Sequence, residues 1–134
     1  MIANPYKRVQ VKTSSPGDLL MLLFDGCVRF LNEAAVAIDA KDRQRAGEKI
    51  NRAHAILSEL VSTLRPDVFP ELCENLEAVY MFCMSHLVRA NLEQDSQKVS
   101  DVVRVLDPIR EAFREAVIQT KSEGMSPSAQ ARTA

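Results

Sequence analysis

Two histidines, three cysteines and a scatter of carboxylates are the residues through which this sequence could do chemistry. A di-metal centre in a helical bundle uses Glu-x-x-His, because residues three apart on a helix converge on one ion. Here Asn51 precedes His54 and Cys83 precedes His86 at that spacing, so neither histidine carries the motif. Phosphotransfer through a mid-helix histidine is the stronger catalytic alternative. Such domains set a lysine three residues on and a glycine next; "HLVRA" has Arg89 and Ala90 there, and "HAILS" has Leu57. No Gly-rich phosphate loop occurs, and no serine, cysteine or acid pair has a base at an activating spacing. Cys27, Cys73 and Cys83 lack CxxC spacing and fall among apolar residues at helical intervals, as buried thiols in a reducing compartment would. The residues argue against an enzyme, a metal centre or a cofactor.

What remains is the scaffold. After an arm of residues 1–14, "SSPGD" announces a helix: Ser15 suits the N-cap, Pro16 the first helical position, and Asp18 the free N–H groups of the first turn. Leu20, Phe24, Cys27, Leu31, Ala34 and Ile38 then step by four and three, a helical period. "KDRQ" interrupts, with Asp42 as a cap. A second segment carries Ala46, Ile50, Ala53, Leu57, Leu60, Val61 and Leu64, and "RPDVFP" ends it. The third shows Leu72, Leu76, Val79, Tyr80, Cys83, Leu87 and Ala90. Beyond "EQDS" the fourth shows Val99, Val102, Val103, Leu106, Ile109, Phe113 and Val117. Pro108 lies opposite that last stripe, where its missing hydrogen bond faces water and predicts a kink around the core. From Ser122 the chain turns small and polar, the composition of a disordered tail. The reading is all-α: an antiparallel up-down four-helix bundle over residues 15–121, an N-terminal arm or lid at 1–14, and a flexible tail at 122–134.

A chain of 134 residues can hide roughly 68% of the surface its unfolded form exposes, so it needs no staple. With 26% charged residues and a net charge of −1, it projects no field toward nucleic acid or an anionic membrane. "MIANPYKRVQ" lacks the apolar run of a secretory signal. Leu19–Phe24, the longest apolar run, is far short of the roughly 20 residues that span a bilayer. A soluble cytoplasmic protein is expected.

The first helix carries more apolar surface than one core stripe needs. Its apolar residues fill an arc of about 200°, whereas a stripe little wider than 100° serves a core. The surplus edge holds Met21, Val28 and Ala35, seven apart. On the third segment Met81, Val88 and Leu92 project away from the stripe, with Met84 between the two faces. Such a patch suits a partner, and methionine repacks around different ones. The arm, the loops or a second copy in a homodimer could also cover these edges. An interaction bundle that simply dimerises is therefore a rival reading.

"NPYK", "SSPGDLLMLLFDGCVRFLNEA", "RAHAILSELVSTL" and "HLVRANLEQD" together resemble the flagellin-specific export chaperone family, FliS, from about Asn4 to Val117. The family often reads "LYDGA" where this chain has "LFDGC", and often has tryptophan where Phe113 stands. The resemblance implies a cytoplasmic chaperone that binds the C-terminal segment of flagellin, prevents early polymerisation and aids delivery to the type III export gate. It also implies that an arm containing Pro5 and Tyr6 can cover part of the groove when no client is present. Met21, Val28, Met81, Met84, Val88 and Leu92 would then receive apolar side chains of a disordered client.

Overall fold

A computed structural model describes residues 15–123. It contains α1 (Pro16–Asp39), α2 (Arg43–Ser62), α3 (Pro70–Glu93) and α4 (Ser96–Glu123). Pro5 and Tyr6, and residues 124–134 of the expected tail, lie outside the described residues, while Ser122 and Glu123, expected in that tail, belong to α4.

Local chemistry sets the ends. Ser15 Oγ accepts the Asp18 N–H at 3.0 Å with Pro16 entering the first turn, and Asp42 Oδ1 accepts the Arg45 N–H at 3.1 Å. Pro70 opens α3 without a side-chain cap. At the α4 entrance Asp95 Oδ1 accepts the Gln97 N–H at 2.9 Å. α1 and α3 close alike. The Asp42 N–H reaches Ala37 O at 2.9 Å and the Asp95 N–H reaches Ala90 O at 3.0 Å, with Lys41 and Gln94 left-handed at φ 63° and 51°. These are Schellman closures in which a lysine and a glutamine hold the place glycine usually takes. Pro108 is exposed and α4 continues through it.

The helices run alternately up and down. α1 packs against α2 and α4, and α3 packs against the same two, so α1 and α3 stand on a diagonal. Phe24, Cys27, Leu31, Leu57, Leu60, Cys83, Leu87, Val99 and Leu106 fill the centre with no exposed surface. Cross-links confirm the antiparallel order. Asp18 at the start of α1 pairs with Lys121 at the end of α4, and Ser96 Oγ donates to Asp39 at 2.8 Å at the opposite end. Glu33 of α1 meets Lys49 of α2 at 3.4 Å. The start of α1, the α2–α3 loop and the end of α4 therefore share one end of the bundle.

Two expectations about the apolar faces are corrected here. Met21 and Val28, expected at a spare edge, are buried at 9% and 7% exposure. They lie on the side of α1 that carries Asp25 and Asp39, both tied to α4. A helix at the corner of a square bundle meets two neighbours at roughly right angles and needs a correspondingly wider apolar arc. The breadth that looked like surplus is the α1–α4 seam. Conversely Leu72, expected in the core, is 53% exposed, because it lines an open groove between the starts of α1 and α3.

Candidate functional site

Where α1 and α3 begin, no helix fills the diagonal between them. Leu19, Leu20 and Leu23 of α1 face Leu72, Leu76 and Tyr80 of α3 across a groove of about 350 Å³, with Thr63–Arg65 and Phe69 of the α2–α3 loop on its rim. Phe113 of α4 also lines it. The lining includes the aromatic rings of Tyr80 and Phe113, backed by the fully buried Phe24, which stacks on Phe113 with centroids 5.6 Å apart and meets the Tyr80 ring at 6.5 Å. Burial holds the Tyr80 phenol well above its ordinary range. Almost nothing polar faces this space, so it suits apolar side chains rather than a polar substrate.

A second groove, of about 540 Å³, lies on the other flank of α3. Val61 of α2 and Leu64 of the following loop oppose Cys73, Ala78 and Met81 of α3, with Pro66 and Pro70 closing one end and Glu74 and Glu77 along the α3 side. Leu64 and Cys73 line both grooves, so the apolar surface is continuous around the first half of α3. It then runs on as Met84, half-buried, and as Val88 and Leu92, exposed at 49% and 73%. From Leu72 to Leu92 the track is about 30 Å long. Met81, Met84, Val88 and Leu92 thus come together on one surface, while Met21 and Val28 are not part of it.

A third depression on α1, lined by Asp25, Val28, Arg29, Asn32, Glu33, Val36, Arg45 and Arg110, is of a different kind. Its carboxylates are engaged within the fold. Asp25 Oδ1 accepts from Arg110 Nη1 and Arg114 Nη2, each at 3.0 Å, and Glu33 holds Lys49.

His86 is a strut. Its Nε2 lies 3.3 Å from Asp101 Oδ2 of α4, and its ring stacks on Phe82 at 5.2 Å. With the side chain 17% exposed and engaged on two sides, it is poorly presented as a phosphoacceptor. Among the described residues no cluster of histidine, cysteine and carboxylates is placed to hold a metal ion. No helix of the described residues is long and apolar enough to cross a membrane.

A family model described as flagellar protein FliS matches residues 1–121. The chain belongs to the FliS family. It is 34% identical over 119 residues to the flagellar secretion chaperone FliS of Bacillus subtilis, covering 87% of this chain and 88% of that protein. The corresponding figures are 32% over 112 residues for the Campylobacter jejuni chaperone, covering 84% and 88%. For that of Salmonella typhimurium they are 30% over 106 residues, covering 78% of each chain. FliS is a family of flagellar secretion chaperones, not of enzymes. Within this FliS chain, Asp25 of the helical "FDG" stretch supplies the double arginine link to α4, and the buried Phe24 stacks on Phe113, which lines the end groove. Leu20 and Leu72, which periodicity assigned to core stripes, and Leu19, Phe69, Glu74 and Glu77, which it left unassigned, line the two grooves. The available hint was Phe69, an aromatic residue set between Pro66 and Pro70 in a loop.

Proposed function

We propose that this chain is a cytoplasmic chaperone for flagellin: it binds the disordered C-terminal segment, prevents premature polymerisation and aids delivery to the flagellar type III export apparatus. The observation that carries the reading is the set of apolar side chains along α3, from Leu72 through Met81 and Val88 to Leu92, that the bundle's own core leaves exposed. A client tail that is disordered alone gives up about 2–5 kcal/mol to become ordered. Apolar burial at roughly 25 cal/mol per Å² offsets this, and a track this long offers several seats for client side chains. Membership in a family of flagellar secretion chaperones supports a flagellar client.

In this proposal the arm at residues 1–14, with Pro5 and Tyr6, is a lid. It joins α1 at Ser15, and the adjoining Pro16 and Gly17 line the end groove. A tyrosine there keeps its ring in the groove and its hydroxyl wet. The loaded complex, rather than the free chaperone, would meet the export gate and other flagellar regulators.

Calorimetric titration of the full chain with a purified flagellin C-terminal peptide tests the reading. Saturable heat at micromolar concentrations is expected, and no binding at tens of micromolar would overturn it. Deleting residues 1–14 should raise the affinity if the arm competes for the groove.

A further inference from the structure

We infer that the α2–α3 groove selects, within its partner polypeptide, apolar residues flanked by lysine or arginine. This rests on the reading of the apolar track as a docking surface and adds the chemistry that it recognises. Half of the eighteen acidic side chains form ion pairs among the described residues, including Asp18 with Lys121, Asp25 with Arg110 and Arg114, Glu33 with Lys49, Asp67 with Arg65, and Asp101 with Arg104. Glu71, Glu74 and Glu77 in the first half of α3 differ. All three are exposed, and none has an ion-pair partner among the described residues.

Glu74 and Glu77 are the charged residues that line the groove, three apart on the helix and beside Val61, Leu64 and Met81. No basic residue lines it. A carboxylate beside an apolar slot is a favourable site for a cation whose alkyl stem lies on the slot while its head reaches the rim. Seating an apolar segment there removes water from around the carboxylates, which strengthens attraction to a bound cation and penalises an acidic partner. The occupant that fits is a segment of another polypeptide, apolar at helical spacing, with lysine or arginine beside the apolar positions.

The test uses two peptides of about 20 residues with leucine at i, i+3, i+4 and i+7, one carrying lysine and the other glutamate at the flanking positions. Each is titrated into the full chain, into Glu74→Lys/Glu77→Lys, and into Glu48→Lys/Glu115→Lys, which changes net charge equally away from the groove. The full chain should bind the lysine peptide about tenfold more tightly at low salt, with the preference shrinking at about 0.5 M salt. The groove variant should lose or invert that preference and the control variant should keep it, all three unfolding at similar temperatures. Equal binding of the two peptides overturns the proposal, as does a preference unchanged in the groove variant. A lysine preference seen only after removal of residues 1–14 also overturns it, since the chain's own Lys7, Arg8 and Lys12 would then be the natural occupant. The flagellin peptide separates this proposal from the chaperone reading. Flagellin binding untouched by Glu74→Lys/Glu77→Lys and by salt leaves the chaperone standing and removes the charge rule. Absence of flagellin binding with the lysine preference intact does the reverse.

Discussion

Lys121, in the last turn of α4, pairs its ammonium with the carboxylate of Asp18 in the first turn of α1. Each charge sits at the helix end whose dipole it complements, and together they clasp the two helices beside the end groove. The hydrogen bond from Lys121, aided by Ser15, holds the Asp18 carboxyl below 3.8. A carboxyl more acidic in the folded chain than in the unfolded one contributes stability that is full above about pH 4 and is lost as pH falls through the lower native value. Asp101, lowered by Gln97 and then by His86 and Arg104, acts in the same direction. Asp18→Asn should be less stable than the parent at neutral pH and converge with it in acid. Urea midpoints from pH 7 to pH 2 check this, and parallel curves would deny the pair its role.

Gly26 lies mid-helix in α1, and a Cβ built there would meet Ile56 Cδ1 at 3.5 Å, ordinary contact rather than a clash. Close helix approach does not explain this glycine. Gly26→Ala should raise stability by about 1 kcal/mol through helix propensity. Lys41, left-handed at φ 63°, calls for the opposite exchange, and Lys41→Gly should gain about 1 kcal/mol. Thermal unfolding of each single variant decides both.

Met21 and Met81 were expected on comparable spare surfaces, yet one is buried and the other is 51% exposed. Met21→Ala should cost about 2–3 kcal/mol. Met81→Asp and Val88→Asp should stay within about 0.5 kcal/mol of the parent while weakening binding of the flagellin peptide. Denaturation and calorimetry on the same preparations separate seam from docking surface. A collapse in the stability of Met81→Asp would move that residue into the core.

Burial pushes the Cys27 thiol up to about 12 and the Cys83 thiol to about 11. Cys27 Sγ also donates to Ala53 O at 3.7 Å. The thiolate is the reactive form, so both should ignore a disulfide reagent in the folded chain at pH 8 and react on unfolding in urea. Rapid labelling of either thiol without denaturant would contradict their packing.

The helices were legible because apolar residues recur at steps of three and four through all four segments and because Ser15, Asp42 and the proline pair mark boundaries by local chemistry. The faces were legible where a helix has one solvent side: Met81, Val88 and Leu92 emerge where 100° steps put them. The seam at Met21 and Val28 was not, because a helical wheel does not say how many neighbours a helix has. Nor was the end groove. Leu20 and Leu72 share their angular positions with core residues and differ only in lying past the end of the diagonal packing, which is a property of axial position.

Because Ser15 and Glu123 lie at the same end of the bundle as the α1–α3 groove, a bulky group coupled at either residue would sit beside it. A purification tag or a fused reporter there would crowd an incoming polypeptide. The tight turns around Lys41 and Gln94 lie at the far end, about 35 Å away along α1. A dye or surface anchor coupled at Lys41 would leave the groove unobstructed and so suits immobilised measurements on this molecule.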